Sequence, residues 1–151
     1  MTSQYRTLIE STAAQFDLSA TLLEAQVFQE SSDNPWALHY DDNFFRAYIL
    51  GKPAAKAARF GSLAACSFGL LQIELEVACE YGFAGNPWDL FDPSTGLYWG
   101  ARYLGHLRDL AAGDMNAALR AYNAGPAAIH HPDDDVAYYT AVMHREQELD
   151  A

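Results

Sequence analysis

Basic residues are scarce in this chain. Nine Lys and Arg stand against 20 Asp and Glu, a formal charge of −11 with a pI near 4.6. That balance gives no positive footprint for neutralising phosphates, so a nucleic-acid partner is excluded. It also gives no attraction to an anionic membrane surface, and stable membrane association is not expected. Cysteine is nearly absent. Cys66 and Cys79 fit no metal-ligand spacing such as Cys-x-x-Cys, and they read as two reduced, core-packed thiols rather than as a disulfide. His130-His131 beside Asp133, Asp134 and Asp135 has no third imidazole or thiol at ligand spacing, so the segment reads as a solvated turn; neither a metal nor a cofactor is expected. No apolar run approaches membrane-span length. Residues 1–16 lack a basic stretch followed by an apolar one, so no signal peptide is expected. Strand-type alternation never exceeds a few residues, and there is no internal repeat.

What the chain has is apolar substance at helical spacing. Of its 151 residues 50% are hydrophobic and 13% aromatic, which argues for one folded, mainly α domain with a sizeable core. Ser3 is the expected cap of a first helix to about Phe16, with Leu8, Ile9, Ala13 and Phe16 on one face. Ser19 is the expected cap of a second, Ala20 to Ser31, with Leu22, Leu23, Val27 and Phe28 as its stripe. Between Leu38 and Ala65 the pattern is harder to read. Phe44, Phe45, Tyr48 and Ile49 suggest one helix ended at Gly51-Lys52-Pro53, and an Ala-rich helix over 54–60 should stop at Gly61. Later helices are expected from Glu74 to Tyr81, from Asp92-Pro93 to about Ala112 with Leu97, Ala101, Leu104, Leu107 and Leu110 inward, from Met115 to Tyr122, and from Val136 to Glu148. Trp36, Trp88 and Trp99 read as core, Trp36 being the best candidate for a sugar platform.

The second helix ends in Glu30-Ser31, and Asn34-Pro35 then turns the chain, because a residue before proline leaves helical geometry. Glu30 lies three residues from Val27, beside the apolar stripe. A carboxyl held there is a candidate general acid, since desolvation disfavours its charged form. A second feature is Ser67-Phe68-Gly69-Leu70-Leu71-Gln72-Ile73, too apolar for a surface loop, with a glycine that implies a close backbone approach. Ser67 could cap a helix beginning at Phe68. A third is Ala121-Tyr122-Asn123-Ala124-Gly125-Pro126.

In this order, with Asp92-Pro93 and Gly100-x-x-Tyr103-Leu104 between them, these segments resemble the lytic transglycosylases with an SLT-type, lysozyme-like domain. That family's pattern is Glu-Ser-x-x-Asn-Pro-x-Ala, a Gly-Leu-Met-Gln-type segment, and Ala-Tyr-Asn-Ala-Gly-Pro. The resemblance spans roughly residues 18 to 143. It implies a single lysozyme-like helical domain, related to goose-type lysozyme, acting on peptidoglycan glycan strands. It also implies Glu30 as the catalytic acid and base, with Ser67, Gly69, Leu70 and Gln72 lining the glycan cleft and Tyr122 and Asn123 completing the site. Such enzymes cut the N-acetylmuramic acid–β-1,4–N-acetylglucosamine bond and leave a 1,6-anhydro end, because the muramic C6 hydroxyl attacks in place of water.

There are departures. The stretch from Ala37 to Gly69 is longer than the usual pattern, Leu71 stands for Met, and Asp134 or Asp135 must stand in for a Glu before the last helix. The compact form with an extended loop resembles phage endolysins of this type, which implies a monomer made in the host cytoplasm and released by a holin. The alternatives are a hydrolytic muramidase on the same fold, which would need a water-activating carboxylate such as Asp41 or Asp42, and a non-catalytic glycan-binding or virion module.

Overall fold

The computed structural model describes the whole chain, Met1–Ala151, and the chain divides into two compact units. One comprises Met1–Gln29 and Ala101–Ala151, the other Glu30–Gly100. The boundaries fall inside helices α2 (Ala20–Ser31) and α5 (Pro93–Leu110). The fold is mainly α, as the helical periodicity requires.

In the first unit, α1 covers Arg6–Gln15. It starts later than a Ser3 cap would place it, because the Ser3 hydroxyl accepts from the Tyr5 amide and closes a turn ahead of the helix. Ser19 does cap α2, accepting from the Leu22 amide at 3.1 Å. Leu22, Leu23 and Val27 are buried as expected, but so is Glu24, which is fully enclosed. Its carboxylate accepts from the Ser3 amide at 2.5 Å and pairs with Arg6, so the burial is compensated. In the C-terminal half of α5, Ala101, Leu104 and Leu107 are buried, whereas Leu110 is 54% exposed and lies off the inward face. Helix α6 (Met115–Ala124) follows, then a 3-10 turn (Pro126–His130) and α7 (Val136–Asp150).

Asp114 caps α6 by accepting from the Ala117 amide at 3.1 Å. Asp114→Ala should lower stability by about 1 kcal/mol, read as a shifted urea midpoint with unchanged slope. Arg120, in the middle of α6 and buried, donates to the carbonyls of Ala128 and His131 at 2.8 and 2.6 Å. One guanidinium thereby adds a second donor to backbone carbonyls of the turns leading to α7, which already accept from the amides of His131 and Asp134.

The second unit carries the only strands. β1 (Leu38–Tyr40), β2 (Cys66–Phe68) and β3 (Ile73–Glu74) form an antiparallel sheet in the order β1-β2-β3. At three, three and two residues they are too short to alternate visibly. Ser67 lies within β2, so it does not cap a helix at Phe68. The 38–65 segment begins as expected: Asp41 caps α3 (Asp42–Phe44) through the Phe44 amide at 2.9 Å, and a π-helical turn continues over Phe45–Ile49. The helix placed at 54–60 forms later, as 3-10 structure within Ala58–Ala65, and Gly61 breaks it as expected, with non-helical angles of φ 60° and ψ −131°.

Helix α4 (Leu75–Glu80) anchors this insertion. Its buried Glu76 accepts from the consecutive amides of Lys56 and Ala57 at 2.7 and 2.6 Å. A 3-10 turn over Pro87–Phe91, held by an Asn86–Asp89 capping box, then leads into α5. Trp36 and Trp88 are 72% and 57% exposed rather than core, Trp36 lying tilted against Phe91 and Trp88 edge-on to Phe68, which itself meets Phe91. Cys66 and Cys79 are both free thiols.

Candidate active site

Glu30 is the penultimate residue of α2 and half-buried. The helix stops behind it because Ser32 and Asp33 both take left-handed backbone angles, φ 53° and 65°. Asn34 organises the loop that follows. Its side-chain oxygen accepts from the Trp36 amide at 3.0 Å and its carbonyl from the Ala37 amide at 3.3 Å. The loop thus delivers the Ala37 carbonyl to one defined place.

That carbonyl joins the first motif to the second. It accepts from the Gly69 amide at 2.9 Å and from the Gln72 side-chain nitrogen at 3.0 Å. Gly69-Leu70-Leu71-Gln72 is the four-residue turn between β2 and β3, with Phe68 opposite Ile73 and Ser67 opposite Glu74. Positive φ at both ends, 73° at Gly69 and 46° at Gln72, reverses the chain. Leu70 and Leu71 point inward, 1% and 0% exposed.

Gln72 Nε2 also bonds the Gly69 carbonyl at 3.1 Å, so both amide hydrogens hold the turn and its oxygen is the atom left to accept. Gly69 is required twice over. Besides its φ, a Cβ there would lie 2.6 Å from the Leu90 carbonyl oxygen; a Cβ on Gly96, in the first turn of α5, would lie at the same distance from the same oxygen. The close approach expected of this glycine is therefore to Leu90.

The two aspartates considered for water activation are both engaged. Asp41 caps α3, and Asp42 pairs with Arg46 at 2.6 Å and accepts from the Tyr40 hydroxyl at 3.1 Å, which holds its carboxyl below the usual range. A different carboxyl is unusual. Glu74 in β3 is pushed up to about 8, first by burial and then by the charges of Asp41 and Glu80. Its only sequence signal is its position inside the apolar run from Leu70 to Leu75.

A folded-state value above the unfolded one means the native state binds the extra proton between about 4.5 and about 8. Stability is therefore fullest below the lower value and falls as pH rises through that window. Partial exposure limits the loss to about 1–2 kcal/mol. Thermal unfolding at pH 5 and pH 8 should show this drop, and Glu74→Gln should flatten it.

In the first unit, Tyr122 and Asn123 lie on the last turn of α6. The Tyr122 ring packs 5.2 Å from that of Tyr103. Asn123 is exposed and donates to the Asp135 carboxylate at 2.7 Å, while Asp134 offers its backbone carbonyl to Arg120. Of the two aspartates considered before the last helix, it is Asp135 that meets the third motif. No cluster of three or more His, Cys, Asp and Glu side chains is arranged to hold a metal ion, and no helix is long and apolar enough to cross a membrane.

Comparison with known proteins identifies the fold and the family. The chain is similar over 98% of its length to the crystal structure of an inactive mutant of the lytic transglycosylase Slt from Pseudomonas aeruginosa, with a TM-score of 0.72 at 20% sequence identity. It spans 25% of that protein's length, and the likeness establishes a shared fold. No curated protein gives a significant match. The family model described as the transglycosylase SLT domain matches residues 7–137, through both units and all three motifs. The chain belongs to the transglycosylase SLT domain family.

Proposed function

We propose that the chain is a peptidoglycan lytic transglycosylase that cuts between N-acetylmuramic acid and N-acetylglucosamine, with Glu30 as its catalytic acid and base. Ser67, Gln72, Tyr122 and Asn123 are the proposed glycan-binding positions, with buried Gly69 and Leu70 shaping the turn that presents Gln72. The observation that carries this reading is the junction at Ala37, which ties the loop behind Glu30 to the Gly69–Gln72 turn as one unit. Membership of the SLT family supports it.

In the first step Glu30 gives its proton to the glycosidic oxygen as the C1–O bond breaks. In the second, its carboxylate takes the proton of the muramic C6 hydroxyl while that oxygen bonds C1. Glu30 ends protonated, no water is consumed, and the product carries a 1,6-anhydro ring. One carboxyl suffices because the substrate supplies the nucleophile, whereas a hydrolase needs a second to activate water. The engagement of Asp41 in capping and of Asp42 in an ion pair supports the transglycosylase outcome.

Mass analysis of digested sacculi tests this. Anhydromuramic ends are expected, and reducing muramic ends would make the enzyme a hydrolytic muramidase. The finer reading is a monomeric phage endolysin that reaches the wall from the host cytoplasm through holin lesions; the 38–65 insertion, longer than the family pattern, supports it. Co-expression should lyse cells only when a holin is present, and equal lysis without one would remove the endolysin role.

A further inference from the structure

Resting on the glycan-cleaving reading, we propose that Glu74 is a substrate-positioning residue, placed beside Ser67 on the sheet to donate a hydrogen bond to the glycan. The placement follows from strand register. Ser67 pairs with Glu74 on one side and with His39 on the other, so the three form a row across the sheet. Paired residues share a face. The neighbouring row, Leu38–Phe68–Ile73, has Phe68 and Ile73 fully enclosed on the opposite face, while Ser67 and Glu74 keep partial access to solvent. The family resemblance assigns Ser67 to the glycan cleft; the register carries Glu74 there with it.

Chemistry decides what Glu74 can offer. The groups around it are Asp41 after β1, Cys66 on β2, His39 in its own row, and Glu80 on α4, and the charges acting on it are acidic. Glu76, also on α4, is turned to the amides of Lys56 and Ala57. No side chain donates a hydrogen bond to the Glu74 carboxyl and no cation offsets its burial, so the neutral acid is the favoured form at neutral pH. A neutral carboxyl is a donor, which the Asp42 carboxylate, held below the usual range by Arg46 and Tyr40, is not, and sugar hydroxyls and N-acetyl carbonyls are ready acceptors. It also carries no charge with which to activate water at that pH.

The test uses soluble uncrosslinked glycan strands and steady-state kinetics from pH 5.5 to 9.5. Wild-type KM should rise as Glu74 ionises near pH 8, with kcat affected less. Glu74→Gln keeps an N–H donor and cannot ionise, so it should retain KM at pH 6.5 within about 3-fold and lose the alkaline rise. Glu74→Ala should raise KM about 3- to 10-fold at pH 6.5. Asp41→Asn still caps α3 but removes a negative neighbour, and should move the alkaline rise to lower pH.

Because a variant can fail to fold, the Glu74 carboxyl should also be titrated by NMR in the wild-type protein. Saturating glycan should raise its pKa further if binding uses the protonated form. An unmoved titration, or a Glu74→Gln profile with the wild-type alkaline rise, would overturn the proposal. Failure of the glycan-cleaving reading itself would appear separately, as full activity in Glu30→Gln.

Discussion

Replacing Glu30 by glutamine is expected to reduce glycan cleavage by at least 10²- to 10⁴-fold, about 3–5.5 kcal/mol in the activation barrier, while the folded state survives. The amide matches the carboxyl in size but can neither release a proton to the leaving oxygen nor accept one from the C6 hydroxyl. Both steps fail together, so no partial product should accumulate. Glu30 is half-buried at a helix end already terminated by Ser32 and Asp33, and the substitution leaves that backbone intact. The discriminating pair of measurements is turbidity loss of purified sacculi and thermal unfolding of the same sample. Lost activity with an unchanged melting temperature places Glu30 in the chemistry; retained activity removes it.

The largest stability effect is expected at Glu76. Its carboxylate is the acceptor for two consecutive backbone amides of the insertion, at 2.7 and 2.6 Å, and the residue is 3% exposed. Glu76→Ala leaves the amides of Lys56 and Ala57 without their acceptor and opens a void around a buried position, together about 3–5 kcal/mol. Glu76→Gln keeps one oxygen acceptor and should cost roughly half as much. Beyond the lower midpoint in urea, hydrogen exchange should quicken first at Lys56 and Ala57, because the segment they belong to is tied down there. Uniform exchange across the unit would show that the insertion is held by other means.

These two residues mark what could and could not be read from the chain. Helix α2 was legible to the residue, since Ser19, the apolar spacing and Asn34-Pro35 all act within a few positions of one another. The implied approach at Gly69 was legible as well, although its partner, the Leu90 carbonyl, was not. The sheet was invisible because strands of two and three residues show no period, and with it went the placement of Ser67 and the neighbourhood of Glu74. Glu76 and Arg120 were silent for another reason. Their partners are backbone amides and carbonyls, which every residue type carries and which leave no trace in the sequence. The exposure of Trp36 and Trp88 was misjudged because each meets an aromatic neighbour yet leaves more than half of its surface to solvent. Asp41 and Asp42 were named only as the carboxylates a hydrolase would need, and both are occupied by local bonds that only the fold reveals.

The Leu90 carbonyl touches two glycines that stand far apart in sequence, Gly69 in the turn and Gly96 in α5. A side chain at either must push the same oxygen away. Once the first substitution has displaced it, the second meets less resistance, so the paired alanine variant should lose less stability than the sum of the single ones. The two positions therefore drift as one: a relative that carries a side chain at Gly96 has already moved the strand of chain that forbids one at Gly69, and only the left-handed φ of 73° then remains to keep glycine in the turn.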